Sequence, residues 1–129
     1  MLPVIRNLEV REDDIFILSY PKCGTTLTME LAWLSSHEAD IETAKQARGS
    51  RCSFLEGPAI LGMSNWEDYY TKLASLPSPR VFNSHLRFDM LPKNILKGKL
   101  VFVNRGVKDC AVSYYHHNRL LKCHNYNVS

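Results

Sequence analysis

The chain has 129 residues, a net charge of +3, 45% hydrophobic residues and 22% charged residues. This size suits one domain, and the composition is typical of a globular protein. The mild positive charge favours small anionic ligands and does not indicate nucleic acid, and no apolar run approaches the roughly 20 residues that span a bilayer. Four widely spaced cysteines without a C-x-x-C pair predict reduced thiols in a cytoplasmic protein.

Predicted strands and helices alternate along the chain. The hydrophobic pattern predicts three strands, at 15–20, 80–84 and 99–104. It predicts helices at 25–36, at 41–48 with Asp40 as cap, from a Ser64–Glu67 capping box to a point before Pro77, and at 107–122. Residues 50–63 are predicted to be a loop.

The order of these elements predicts an α/β domain with a mainly parallel sheet. Nearly continuous apolar strands suit a sheet that is covered on both faces. In such folds, ligands bind beyond the carboxyl ends of the strands. Three junctions therefore become candidates for a functional site: 19–27, 83–86 and 104–113.

The first junction, SYPKCGTTL at 19–27, has the composition of an anion-binding turn. Gly24 allows the backbone to approach a ligand, and the amides that open the next helix have no intrahelical partner. Lys22 adds a positive charge. The pattern also fits an ordinary strand-to-helix turn with Thr25 as N-cap. It does not match the G-x-x-x-x-G-K-[ST] loop of ATPases, because the lysine precedes the glycine.

The other two junctions supply a candidate base and a candidate phosphate clamp. His85, at a strand end, can act as a general base near neutral pH, although a lone histidine is more often structural. Arg105 follows the next strand, and its planar guanidinium suits a phosphate. Ser113, two turns into the following helix, can donate to the same anion. The alternative is that Arg105 pairs with Asp109.

The three segments together resemble the cytosolic sulfotransferases that use 3′-phosphoadenosine 5′-phosphosulfate (PAPS). SYPKCGTTL is similar to the family's T-Y-P-K-S-G-T-T-W loop, and PRVFNSHLRFDMLP to its P-R-x-x-K-[ST]-H-L-P segment. VFVNRGVKDCAVSYYHHNRL resembles its Y-V-x-R-N-x-K-D-x-x-V-S-x-Y-H segment, nearest to arthropod-type members. The resemblance implies a P-loop-like domain with a mainly parallel sheet flanked by helices.

The resemblance also implies a role for each junction. His85 would take the proton of an acceptor as it attacks sulfur, and Lys22 would stabilise the charge on the leaving phosphate. The 5′-phosphosulfate would lie on Lys22 and the five residues after it: Cys23, Gly24, Thr25, Thr26 and Leu27. The 3′-phosphate would lie on Arg105 and Ser113. PAPS would be the co-substrate, and no metal would be required.

Four positions depart from the family pattern. Asn83 stands in place of a lysine that assists the sulfuryl group, and Leu27 replaces a tryptophan that stacks on adenine. Cys23 replaces a serine, and Gly106 replaces an asparagine. Family members are longer, so residues 1–129 are expected to form a partial domain, the N-terminal half of the fold. It would lack the family's N-terminal helix and would show no turnover on its own.

The resemblance implies a small, mostly apolar acceptor: a phenol, steroid, retinoid or amine. Phe82, Phe88 and Leu91 are candidates to line its pocket, with core packing as the alternative. We expect no nucleic-acid or membrane partner, and a homodimer only in a full-length form.

Three other functions remain open at this point. A non-catalytic binder of PAPS or adenosine bisphosphate would keep the phosphate contacts without turnover. A P-loop kinase or NTPase lacks its G-K-[ST] signature here. A zinc site would have to use residues whose spacing fits no standard zinc motif, namely His116, His117, Cys123 and His124.

Overall fold

The computed structural model describes residues 1–45 and 51–120. The strands are β1 Ile15–Ser19, β2 Cys52–Phe54, β3 Val81–Ser84 and β4 Lys99–Val103. The helices are α1 Leu2–Arg6, α2 Thr25–Ser36, α3 Ile41–Ala44, α4 Gly57–Ile60, α5 Trp66–Ser75 and α6 Val107–Leu120. Short 3₁₀ turns occur at Phe88–Met90 and Ile95–Lys97.

The four strands form one sheet in the order β2-β3-β1-β4, and all neighbouring pairs are parallel. β1 lies in the interior of the sheet, where Ile15 is opposite Val81 on one side and Lys99 on the other. Because the strands are parallel, their carboxyl ends meet at one edge. The predicted α/β fold with a mainly parallel sheet flanked by helices is confirmed.

Most predicted elements are confirmed to within one residue at the ends that can be compared. α2 has the predicted bounds, and α5 ends before Pro77 as expected. The carboxylate of Asp40 accepts a hydrogen bond from the Thr43 amide at 3.0 Å and so caps α3. The predicted continuations of α3 and α6 beyond residues 45 and 120 lie outside the described residues.

Three predictions about local structure are wrong. β2 and α4 occupy the stretch 50–63 that was predicted to be loop, so the sheet has a fourth strand. With only three residues, β2 is too short to produce an alternating pattern. A short helix, α1, precedes Asn7 where none was expected. The N-cap of α5 is Asn65, and it makes no side-chain cap hydrogen bond, so the predicted Ser64–Glu67 capping box is wrong.

Apolar side chains cover both faces of the sheet. On one face, Phe16 and Phe82 stack with ring centroids 5.1 Å apart, beneath residues of α1 and α5. On the other face, Ile15 and Ile17 pack against α2. Alternate residues of β1 therefore point to opposite cores, as the strand period of two requires. Burial on both faces fixes the position and direction of β1, and β1 leads into the first junction.

A buried ion pair ties the amino ends of β1 and β3 together. The guanidinium of Arg80 donates to both carboxylate oxygens of Asp14, at 2.6 and 2.8 Å, and both side chains are almost fully buried. Arg80 also donates to the carbonyls of Glu9 and Leu73. These bonds satisfy the charged groups at the end of the sheet opposite the three junctions.

β2 and β4 are the edge strands of the described sheet, and β4 is poorly covered by other elements. Its side chains Leu100, Val101 and Phe102 are exposed, with Phe102 at 77%. Among the described residues, no helix has both the length and the apolar character that crossing a membrane requires.

Candidate active site

A cleft of about 580 Å³ lies where the carboxyl ends of the strands meet, and all three predicted junctions reach it. The predicted site residues that line it are Lys22, Gly24, Thr25, Thr26, His85, Arg105 and Ser113. Its other walls are Pro21, Met29, Cys52, Phe54, Asn83 and His117. None of these described lining residues is acidic, so the cleft is suited to an anion.

The backbone of the first junction turns sharply before α2 begins. Lys22 has φ +68° and Gly24 has φ +110°, both in the left-handed region that glycine adopts without strain. Gly24 is the N-cap of α2, so the prediction of Thr25 as N-cap is wrong. The first bond of the helix runs from the Thr28 amide to the Gly24 carbonyl at 3.1 Å.

This turn leaves a row of backbone donors without partners. In the described part of the chain, the amides of residues 24–27 have no hydrogen-bond acceptor, whereas the Cys23 amide donates to the Tyr20 carbonyl at 3.3 Å. The available amides are therefore those that open the helix, as expected from the residues, and the Cys23 amide that the resemblance adds to them is already bonded. The available amides lie at the positive end of a 12-residue helix dipole. Lys22 adds its charge nearby, with Nζ 3.5 Å from Nδ1 of His117.

His85 is held in one orientation at the end of β3. Its Nδ1 lies 2.8 Å from the Ser19 carbonyl oxygen, which can only accept, so Nδ1 carries the proton of the neutral ring. Nε2 is then the acceptor nitrogen, as a general base requires. The ring also contacts the edge of Phe54, with centroids 5.4 Å apart.

The carboxylate of Glu56 binds the backbone of His85. Glu56 was not among the residues predicted from the sequence. The carboxylate is 5% exposed and accepts hydrogen bonds from the Ser84 hydroxyl at 2.8 Å and from the His85 amide. Glu56 lies just before α4, inside the stretch predicted to be loop. The available signal was an acidic residue directly after the apolar, β-prone run CSFL.

Asn83 carries the one buried side-chain polar atom that has no hydrogen-bond partner among the described residues. That atom is Oδ1, and the residue is buried. A buried polar atom without a partner costs free energy unless a ligand or water satisfies it. Asn83 lines the cleft two residues before His85, at the position where the sulfotransferase pattern has a lysine.

The third junction contacts the first through Arg105. The guanidinium donates to the Lys22 carbonyl at 3.2 Å and is otherwise exposed, and the Arg105 amide donates to the Asn104 side chain. This hydrogen bond links the first and third junctions and does not involve Asp109. Ser113, half-buried on α6, faces the same cleft.

Some predicted residues do not line the cleft. Leu27 is 66% exposed on the first turn of α2, and the side chain of Cys23 faces Cys110. Phe82 and Leu91 are core residues, which is the alternative that was expected for them, and Phe88 is exposed and does not line the cleft. The apolar wall of the cleft consists instead of Met29 and Phe54.

The predicted zinc alternative finds no support in the part of the chain that is described. There, no group of three or more potential ligands lies close enough to hold a metal ion. Two of the four residues considered, Cys123 and His124, lie outside the described residues.

The fold and the cleft define an α/β domain in which unpaired amides at the start of a helix and a histidine side chain share one cleft. A family model described as the sulfotransferase domain matches residues 12–128. The chain belongs to the sulfotransferase family.

Curated relatives agree with this assignment. The luciferin sulfotransferase of Photinus pyralis is 36% identical over 92% of this chain and 36% of its own length. Sulfotransferase 1A1 of Bos taurus is 37% identical over 93% of this chain and 40% of its own length. The chain thus spans well under half the length of the curated relatives that it matches.

Solved structures share the fold. Retinol dehydratase in complex with retinol and PAP aligns with a TM-score of 0.72 and 29% identity, over 91% of this chain and 43% of that one. Mouse sulfotransferase SULT7A1 complexed with PAP aligns with a TM-score of 0.63 and 26% identity, over 92% of this chain and 38% of that one.

Proposed function

We propose that the protein transfers a sulfuryl group from PAPS to a hydroxyl or amine of a small, mostly apolar acceptor. The observation that carries the proposal is the hydrogen bond from His85 Nδ1 to the Ser19 carbonyl, because it leaves Nε2 as a proton acceptor beside the cleft. The unpaired amides of residues 24–27 supply an anion site in the same cleft.

The donor would be bound by its two phosphate ends. The amides of residues 24–27 and Lys22 suit the 5′-phosphosulfate, since backbone donors and a cation at a helix start stabilise negative charge. Arg105 and Ser113 suit the 3′-phosphate, the guanidinium by its planar fork. The absence of acidic side chains among the described lining residues fits a ligand with several negative charges.

The transfer itself needs little covalent chemistry from the protein. An oxygen or nitrogen lone pair of the acceptor attacks sulfur, and the bond between sulfur and the 5′-phosphate oxygen breaks with its electron pair leaving on that oxygen. His85 Nε2 takes the proton of the attacking group. Lys22 stabilises the charge that grows on the leaving oxygen. Positioning and charge stabilisation of this kind account for most catalysis of related group transfers.

The acceptor would meet the apolar part of the cleft near His85. Phe54 and Met29 lie in this wall, and Phe54 contacts the imidazole ring. One similar structure contains retinol and another contains androsterone. A retinoid, steroid, phenol or amine is therefore the class of acceptor that we propose, in a cytoplasmic protein.

A second candidate function is supported by two positions. Asn83 stands where the family has a lysine that assists the sulfuryl group, and its Oδ1 is unpartnered. Leu27 is exposed where the family has a tryptophan that stacks on adenine. A chain that binds the nucleotide without transferring sulfate would keep the phosphate contacts and tolerate both changes.

Two measurements test these functions. The first tests the nucleotide site, which both functions require, and the second separates them. Calorimetric titration with adenosine 3′,5′-bisphosphate (PAP), with adenosine 5′-phosphate as the matched control, tests the nucleotide site. We expect PAP to bind more tightly because only PAP offers a 3′-phosphate to Arg105 and Ser113. Equal affinities, or no binding of either, would contradict the nucleotide site.

Transfer of labelled sulfate from PAPS tests catalysis. It is measured in the 129-residue chain and in a chimera in which residues 12–120 replace the matching segment of the luciferin sulfotransferase. Transfer by the chimera to a phenol, sterol or retinoid supports the enzyme. PAP binding without any transfer by the chimera supports the non-catalytic binder.

A further inference from the structure

Two cysteines touch between the first and third junctions. The Sγ atoms of Cys23 and Cys110 are 3.7 Å apart, although 87 positions separate the residues along the chain. Both are free thiols with 8% and 7% of their surface exposed. This contact joins the turn that precedes α2 to the first turn of α6.

The pair lies on the wall of a second cavity of about 510 Å³. This cavity also includes Tyr20 and Arg105, which are exposed, so it is open to solvent. A molecule as small as hydrogen peroxide can therefore reach sulfurs that are themselves nearly buried.

We propose that Cys23 and Cys110 are a modification site: they form a reversible intramolecular disulfide that disturbs the phosphate-binding turn. The proposal of the disulfide rests on the geometry of the two thiols alone. Its effect on nucleotide affinity rests on the proposed function.

The oxidant is a peroxide, and the reaction balances. One sulfur attacks a peroxide oxygen, the O–O bond breaks, and a sulfenic acid and water form. The second sulfur then attacks the first, the S–S bond forms, and a second water leaves. Two thiols and one hydrogen peroxide thus give one disulfide and two waters. A dithiol reductant restores both thiols by exchange.

The Cys110 thiol is protonated at rest. Burial raises the pKa of the Cys110 thiol above its ordinary value, the contact with Cys23 raises that pKa further, and the charge of Arg105 opposes both. Because the thiolate is the form of cysteine that reacts, a protonated Cys110 stays reduced until a peroxide is added.

Closing the disulfide changes the turn. The sulfur atoms must approach by about 1.7 Å to reach the ~2.05 Å of a disulfide bond. The thiol of Cys110 donates to the Pro21 carbonyl at 3.3 Å, and this bond is lost when the proton leaves. Cys23 lies between Lys22 and Gly24, both with positive φ, so its shift moves residues of the anion site directly.

The test exploits the trypsin sites of the chain. Cleavage after lysine and arginine places each cysteine on its own peptide: 23–45, 52–72, 109–119 and 123–129. The 129-residue protein is treated with hydrogen peroxide and digested without reductant, and the peptides are identified by mass spectrometry. We expect a linked peptide 23–45/109–119 that disappears with dithiothreitol. Linkage only through Cys52 or Cys123, or no linkage while those cysteines oxidise, would overturn the disulfide.

The second readout is PAP affinity by calorimetry before oxidation, after oxidation and after reduction. We expect oxidation to weaken binding roughly tenfold or more, the effect of losing one charge-assisted hydrogen bond, and reduction to restore it. A linked peptide with unchanged PAP affinity would overturn the effect on the site. Failure of reduced protein to bind PAP would contradict the proposed function and leave the digest to decide the disulfide.

Two variants serve as controls. Cys110→Ser keeps a hydroxyl that can donate to the Pro21 carbonyl, and it should show no linked peptide and no response of PAP affinity to peroxide. Cys123→Ser should keep both the linkage and the response. If Cys110→Ser does not fold, the digest of the unaltered protein still decides.

Discussion

The Nδ1 atom of His85 lies 2.8 Å from the carbonyl oxygen of Ser19, so the end of β3 is bonded to the end of β1. The two strands are neighbours in the sheet, and their register pairs Leu18 with Ser84. Ser19 and His85 are the next residues of the two chain segments. The tautomer of the imidazole is therefore set by the backbone of the sheet. The Glu56 carboxylate accepts from the His85 amide, so the backbone of β1 and one buried side chain together hold this residue.

Replacement of His85 by alanine should remove sulfate transfer and spare nucleotide binding. A general base contributes about 10²–10⁴-fold to the rate, and it acts on the acceptor and not on the donor. Transfer is measured in the chimera with labelled PAPS, and PAP affinity by calorimetry. The matched control is His116→Ala, since His116 is exposed on α6 and does not line the cleft. Unchanged transfer by His85→Ala would assign His85 a structural role.

Glu56→Gln tests the support behind His85. One carboxylate oxygen would become an NH₂ group, which donates and cannot accept, so either the Ser84 hydroxyl or the His85 amide would lose its acceptor. We expect a loss of about 1–3 kcal/mol in the free energy of unfolding, the cost of an unsatisfied buried donor or acceptor. Transfer should fall while PAP affinity stays the same. Urea unfolding and the labelled-sulfate assay measure the two effects, and Glu67→Gln, at an exposed position of α5, is the control.

Arg105→Ala should weaken PAP binding. Loss of a hydrogen bond to a charged group costs about 1.5–3 kcal/mol, which is roughly 10- to 150-fold in affinity. The difference in PAP affinity between Arg105→Ala and the unaltered chain should narrow as salt is raised, because Arg105 is exposed and its charge is screened. Calorimetry at two salt concentrations measures it. Arg119→Ala is the control, since Arg119 lies near the end of α6 and contacts Tyr115. Equal affinities of Arg105→Ala and the unaltered chain would remove Arg105 from the site.

The residues of the site could be found from the sequence because each follows a strong local signal. Gly24 lies between an apolar strand and a helix, and His85 and Arg105 each follow an apolar strand closely. Parallel strands bring such positions to one edge. Glu56 has no such signal, since its role depends on β2, which takes its place only by pairing with β3. Contacts across the chain, such as Cys23 with Cys110, depend on packing and not on local pattern.

The Asp14–Arg80 pair should matter for stability far more than an exposed pair. Arg80→Met leaves the Asp14 carboxylate buried and unpaired, and breaking a buried pair in this way costs about 3–5 kcal/mol. The control is Arg87→Met, which breaks a pair with Asp89 whose side chains are 79% and 63% exposed. Exposed pairs contribute roughly 0–1 kcal/mol. Urea unfolding compares the two variants, and equal losses would contradict the importance of the buried pair.

Phe102→Lys should keep the chain in solution without changing the nucleotide site. β4 is an edge strand of the described sheet, and an exposed apolar edge pairs readily with another copy of itself. Phe102 is 77% exposed, so little packing is lost when it is replaced. A lysine on an edge strand opposes pairing between sheets. We therefore expect fewer large species in light scattering and size-exclusion chromatography at raised protein concentration. PAP affinity should not change, since Phe102 does not line the cleft.

The matched control is Lys99→Phe, which removes a charge from the same edge and should increase association. If Phe102→Lys and the unaltered chain associate equally, the β4 edge does not drive the association.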